Sequence, residues 1–151
     1  RARIAVNGGD DGRNAWQLGR AIRVFGARTS TMYRITAVDR SAAQTWITLD
    51  RTPLLARGIV QAVSEQAITL NASLLFCDRL PGTLLTVGEL SSRVTEATRK
   101  GVVTVEAEIA ETETVRQGSE ARIWQIAVGD SVEVAGMTHV SKAGINRPVS
   151  D

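Results

Sequence analysis

Apolar and polar positions alternate with a period of two through most of this chain. Ile22 and Val24 flank Arg23. Tyr33, Ile35 and Ala37 alternate with Arg34 and Thr36. Ile47 and Leu49 oppose Trp46, Thr48 and Asp50. Such alternation, rich in β-branched and aromatic residues, predicts half-buried strands. Segments 59–63, 67–70 and 74–77 read as three short strands at meander spacing. Val103, Val105, Ala107 and Ile109 line one face against Thr104, Glu106 and Glu108. The apolar run 122–128 precedes Gly129-Asp130, which is expected to be a two-residue hairpin turn. Residues 90–100 carry two signals. Leu90, Val94 and Ala97 fit a helical stripe, whereas two Ser, two Thr and Val94 favour strand; a hairpin is the expectation.

One phrase recurs three times: a strand ending in Gly, a polar stretch, then another strand. The copies are 22–26 with 33–38 and 46–50, then 85–88 with 93–95 and 102–106, then 132–136 with 138–141. The predicted class is all-β, with antiparallel hairpins forming small barrels or a sandwich and at most one or two short helices. One helical turn is expected at 14–18, with Asn14 as its cap. Pro53 ends a strand because it cannot donate to a ladder. Asp78 to Gly82 is the strongest break, since Pro81-Gly82 favours a tight turn. The expected organisation is therefore an Arg-rich module at 1–80, a Glu-rich module at 81–141 and an extended arm at 142–151.

Charge changes sign along the chain. Residues 1–75 hold ten Arg against five acids, a net of +5; residues 76–151 hold eight basic residues against eleven acids, a net of −3. That asymmetry suits head-to-tail self-association or contact with a polyanion. Hydrophobic content of 43% in 151 residues is enough for a real core. No run approaches the roughly 18 apolar residues of a membrane helix, so no membrane segment is expected. The first residue is Arg rather than Met, which suggests a chain that is trimmed or part of a longer one.

The catalytic inventory is thin. One histidine, His139, and no Gly-x-Ser-x-Gly elbow leave no nucleophile triad to assemble. Gly8-Gly9-Asp10-Asp11-Gly12 lacks the Gly-Lys-Ser/Thr of a phosphate loop. Cys77, the single cysteine, sits in an apolar run and reads as a small buried hydrophobe. No catalytic residue, cofactor or metal is expected; a hydrolase would need an acid cluster assembled by the fold. Glu106, Glu108, Glu111 and Glu113 form an acidic ridge that an Arg-rich partner would relieve. The candidate interface residues are Arg23, Arg34, Trp46, Arg51, Glu106, Glu108 and Trp124. Trp46 and Trp124, with Arg close in sequence, also admit stacking on nucleic-acid bases, although aromatic residues are only 4% of the chain.

The stretch 32–40, with Ala37-Val38-Asp39, and the stretch 45–51, with Thr48-Leu49-Asp50-Arg51, resemble hairpins of tail-tip and hub proteins of long-tailed bacteriophages. Segment 128–136 is similar to hairpins in small barrels of phage connectors and baseplates. The resemblance covers about a third of the chain and transfers no catalytic residues. It implies a virion structural protein of the tail, assembled by edge-strand and loop contacts. Its partners would be copies of itself and other virion proteins. The alternative is a β-barrel module that binds nucleic acid or glycan.

Overall fold

The computed structural model describes residues 2–7, 16–26, 30–40, 44–134 and 142–145. They form twelve strands: β1 (Arg3–Asn7), β2 (Ala21–Phe25), β3 (Ser30–Asp39), β4 (Thr45–Leu49), β5 (Leu54–Ser64), β6 (Ala67–Leu70), β7 (Leu84–Val87), β8 (Leu90–Ala97), β9 (Val102–Val105), β10 (Glu120–Trp124), β11 (Ser131–Val134) and β12 (Lys142–Ile145). Among the described residues a single 3-10 turn spans Cys77–Arg79. The chain is all-β, and of the two expected architectures it adopts barrels. Barrel one closes in the order β1-β12-β11-β2-β3-β4, and barrel two in the order β10-β5-β6-β9-β8-β7. Every neighbouring pair is antiparallel.

The division of the chain differs from the expected one. Barrel one belongs to a unit of Arg1–Pro53 with Ile126–Asp151, and barrel two to Leu54–Gln125. Barrel two is therefore inserted between β4 and β11. Its chain enters on β5 and leaves on β10, where Leu54 stands opposite Trp124. The boundary expected at 80/81 falls inside barrel two, because Pro81-Gly82 turns the chain into β7 rather than out of the unit. Residues 142–145 of the expected arm are strand β12, paired with β1 and β11. The run 122–128 is not one strand. It ends at Trp124, and Gly129-Asp130 leads into β11 without a hairpin, since β10 pairs with β5 and β7 instead.

The two barrels share one plan. With β12 matched to β5, β1 to β6, β2 to β7, β3 to β8, β4 to β9 and β11 to β10, every pairing in one ring has its counterpart in the other. The registers agree as well. Ala21 faces Arg34 as Leu84 faces Arg93. The β3–β4 ladder shifts between Ile35 and Ala37, and the β8–β9 ladder between Val94 and Glu96. The skipped residue is a threonine in both cases. Thr36 Oγ1 donates to the Thr48 carbonyl at 3.3 Å, and Thr95 Oγ1 to the Thr104 carbonyl at 3.2 Å. A bulge leaves one residue unpaired and bends the strand, and each hydroxyl bonds a carbonyl across that bend. The first two copies of the sequence phrase are these matched strands. The third is not equivalent: β11 corresponds to β10, and residues 135–141 lie outside the described residues.

Each barrel has its own core. Ile22, Val24, Ile35, Ile47, Leu49, Ile4 and Val134 fill barrel one. At the matched positions Leu85, Val87, Val94, Val103, Val105, Ile68 and Ile123 fill barrel two. All lie inward on alternating positions, as period-two patterning requires. Trp16 is buried in the first core, and Leu74 and Leu80 in the second, each on the connection between the first two matched strands. Leu74 therefore lies in a connecting loop. The strand expected at 74–77 does not form, because that loop seals the barrel with its apolar side chains. Residues 90–97 form strand β8, as expected. The helical turn expected at 14–18 lies partly outside the described residues; Trp16 to Leu18 are not helical.

Candidate functional site

The outer face of barrel one gathers three of the expected interface arginines. Arg23 on β2 donates from Nη1 to Ser30 Oγ at 3.2 Å and from Nη2 to Met32 Sδ at 3.3 Å. Arg51, just after β4, lies over the Tyr33 ring at 4.7 Å and donates from Nη2 to the Met32 carbonyl at 2.6 Å. Met32 is thus flanked by two guanidinium groups. Arg34, two positions along β3, donates from Nη1 to the Gly19 carbonyl at 2.7 Å, and its amide donates to Asp50 Oδ1 at 3.0 Å. Burial holds the Tyr33 hydroxyl un-ionised and raises its pKa to about 12; Arg51 works against that rise and Asp50 adds to it.

Arg34 has a matched partner. Arg93 Nη1 donates to the Gly82 carbonyl at 3.0 Å, and Gly82 occupies the place of Gly19, both with positive φ. The same side chain making the same bond in both barrels identifies Arg34 as a clamp on the turn before β2. Trp46, on β4, carries the Arg3 guanidinium over its ring at 4.8 Å. One face of that indole is therefore covered. Trp124 is 7% exposed, and its Nε1 donates to Thr86 Oγ1 at 2.8 Å. A ring so enclosed offers no platform for a stacked base. Arg122, 5.9 Å from the Trp124 ring, pairs with Glu120 at 2.9 Å. That bond lowers the Glu120 pKa.

The acidic ridge lies on barrel two, where it is not the face of a strand. β9 ends at Val105, and the chain leaves the sheet with Glu106 and Glu108 exposed. It is nevertheless held. The Ala107 amide donates to Ser92 Oγ at 3.0 Å, Gln66 Nε2 to the Glu106 carbonyl at 3.0 Å, and the Ile109 amide to the Glu65 carbonyl at 2.8 Å. Further on, Thr112 Oγ1 donates to Glu89 at 2.7 Å, and Thr114 Oγ1 donates to the same carboxylate.

A surface that alternation alone did not reveal lies at the β6–β7 connection. Leu55, Leu74, Leu75, Phe76, Arg79 and Leu80 line an open groove of about 290 Å³. Leu75 is 67% exposed, Phe76 65% and Leu55 44%. Arg79 lies 5.5 Å over the Phe76 ring. The signal in the sequence was the run Leu74-Leu75-Phe76, which lacks the alternation of a half-buried strand.

Barrel closure leaves neither sheet an unpaired edge strand. Of the edge-strand and loop contacts that the resemblance implies, the first would find no unpaired strand among the described residues. Among the described residues no group of His, Cys, Asp and Glu is arranged to hold a metal, and no helix is long and apolar enough to cross a membrane. Comparison with protein-family models, with curated proteins and with solved structures returned no match.

Proposed function

We propose that this chain is a non-enzymatic structural subunit that assembles with other protein subunits, and that its setting is the tail of a bacteriophage or prophage virion. The observation that carries the assembly role is the open groove of Leu55, Leu75 and Phe76. Two adjacent large apolar side chains, each about two-thirds exposed, shed water when a partner covers them. The opposite charges of the two units support the same reading. The unit of barrel one holds eleven basic and seven acidic residues, a net of +4; the unit of barrel two holds seven and nine, a net of −2. The phage setting rests on the hairpin phrases at 32–40, 45–51 and 128–136.

Light scattering on the purified protein tests the role. The wild type is expected to show a mass above that of one chain that grows with concentration, and Leu75→Ser with Phe76→Ser to shift the population toward the monomer. An unchanged mass distribution in that variant would remove the groove from the contact. Arg3 stacked on Trp46 in the basic unit favours nucleic acid as the second reading. It predicts single-strand binding that weakens steeply with salt and is lost in Trp46→Ala.

A further inference from the structure

Because the barrels share one plan, each is an internal control for the other. A residue that recurs with the same bond serves the fold, as Arg34 and Arg93 do, and Thr36 and Thr95. A residue whose matched position has lost that character is not required by the fold. The group around Met32 is of the second kind. Register matches Arg23 to Thr86, Met32 to Ser91 and Arg51 to Ala107. Barrel two closes around uncharged residues at all three places, so closure does not demand the two arginines. Arg carries five N–H donors. The bonds to Ser30 and Met32 leave most of them available on both side chains. Glu133 stands opposite Arg23 on β11, and the Asp50 carboxylate accepts from the Arg34 amide.

The acidic segment shows the converse. Glu106 is matched to Asp50: each donates its amide to the carbonyl of the clamp arginine, Arg93 or Arg34, at 3.0 Å. Asp50 spends its carboxylate on the sheet. The carboxylates of Glu106 and Glu108 are exposed and have no bonded partner among the described residues. They flank Ala107, whose amide is tied inward to Ser92. Two neighbouring exposed carboxylates answer, in number and sign, the two guanidinium groups that reach the same methionine, one at its sulfur and one at its carbonyl.

Given the self-assembling role above, we infer that the Arg23–Met32–Arg51 face of one copy receives the Glu106–Glu108 segment of a second copy. The occupant is a copy of this chain because the chain itself supplies both halves: the Arg23–Met32–Arg51 group, which barrel two lacks at the matched positions, and a segment with unanswered carboxylates already fixed by backbone bonds. A fixed segment loses little conformational freedom on docking. Made once per pair of copies, such a contact repeats head to tail into a ring or a filament; made twice about a two-fold axis, it closes a dimer.

Charge reversal tests it, read by sedimentation velocity at low and high salt. Arg23→Glu with Arg51→Glu, and separately Glu106→Arg with Glu108→Arg, are each expected to weaken self-association at least tenfold. Mixing the two variants restores it, because each then meets a complementary surface, and so does combining all four changes in one chain. High salt weakens the wild-type contact. Near-ultraviolet circular dichroism confirms that each variant is folded, and recovery on mixing requires it. Wild-type assembly with no effect of either reversal overturns this contact while leaving the assembly role standing. Loss in both variants without recovery on mixing overturns the pairing of these two surfaces. A wild type that is monomeric at every concentration overturns both.

Discussion

Gly101→Ala should unfold barrel two far more readily than Gly118→Ala, although the two glycines have nearly the same φ, +98° and +94°. A side chain at positive φ costs about 1–2 kcal/mol at either site. Gly118 has no atom within 4 Å of the added carbon, so strain is the whole effect there. At Gly101 the added carbon would lie 2.5 Å from the Ala72 carbonyl oxygen and 2.6 Å from that of Leu70. Neither oxygen can swing away as a side chain would. The Leu70 amide donates to the Gly101 carbonyl at 2.8 Å, so the two segments cannot part without losing that bond, and the Gly101 amide, donating to the Thr98 carbonyl at 3.1 Å, ties Gly101 into its own turn. Forcing extra volume into a packed site adds about 1–3 kcal/mol, for a total of roughly 2–5 kcal/mol at Gly101. Urea unfolding followed through Trp124 fluorescence in a Trp16→Phe, Trp46→Phe background measures it. With a slope near 2 kcal/mol/M, the two midpoints should differ by about 1 M. Asn71 and Ala72 open the loop that carries Leu75 and Phe76, so Gly101→Ala should also impair assembly. Equal midpoints would refute the claim that close backbone approach, rather than φ alone, demands glycine at 101.

Other expectations follow from the matched barrels and from Tyr33. Thr36→Val and Thr95→Val each remove the hydroxyl bond at a bulge and should destabilise by similar amounts, about 1 kcal/mol, in thermal melts. Arg34→Ala should lower stability without weakening self-association, whereas Arg23→Ala should do the reverse; sedimentation paired with melting separates them. Tyr33 has a folded pKa of about 12 against an ordinary value near 10. Its un-ionised state therefore favours folding below pH 10, and that contribution is lost as pH rises toward 12. Stability should fall across that window, and Tyr33→Phe should flatten the fall.

Strand content was legible because strands report locally. Ile22 with Val24 and Ile47 with Leu49 face the core as alternation predicts. Ala37 does not. It was expected beside Tyr33 and Ile35, but the bulge at Thr36 turns Ala37 outward, and Val38 packs on the core instead. A bulge is fixed by the partner strand, which local pattern does not contain. The insertion was hidden for a related reason. Trp124 belongs to the second unit and buried Ile126 to the first, yet 122–128 reads as continuous apolar chain. Which strands close the rings depends on contacts such as β1 with β4 and β5 with β10, made between distant segments. Of the candidate residues, Arg23 and Arg51 meet at Met32, whereas Arg34 proves to be a clamp and Trp124 is enclosed. Only the matched barrel makes the clamp distinguishable from arginines that the fold does not require.

Assembly with copies of itself and other subunits is the role proposed for this chain. Light scattering of the full chain across a concentration series at low salt tests it most directly. Masses that are multiples of one chain and rise with concentration are expected. A single-chain mass at every concentration and salt would contradict it.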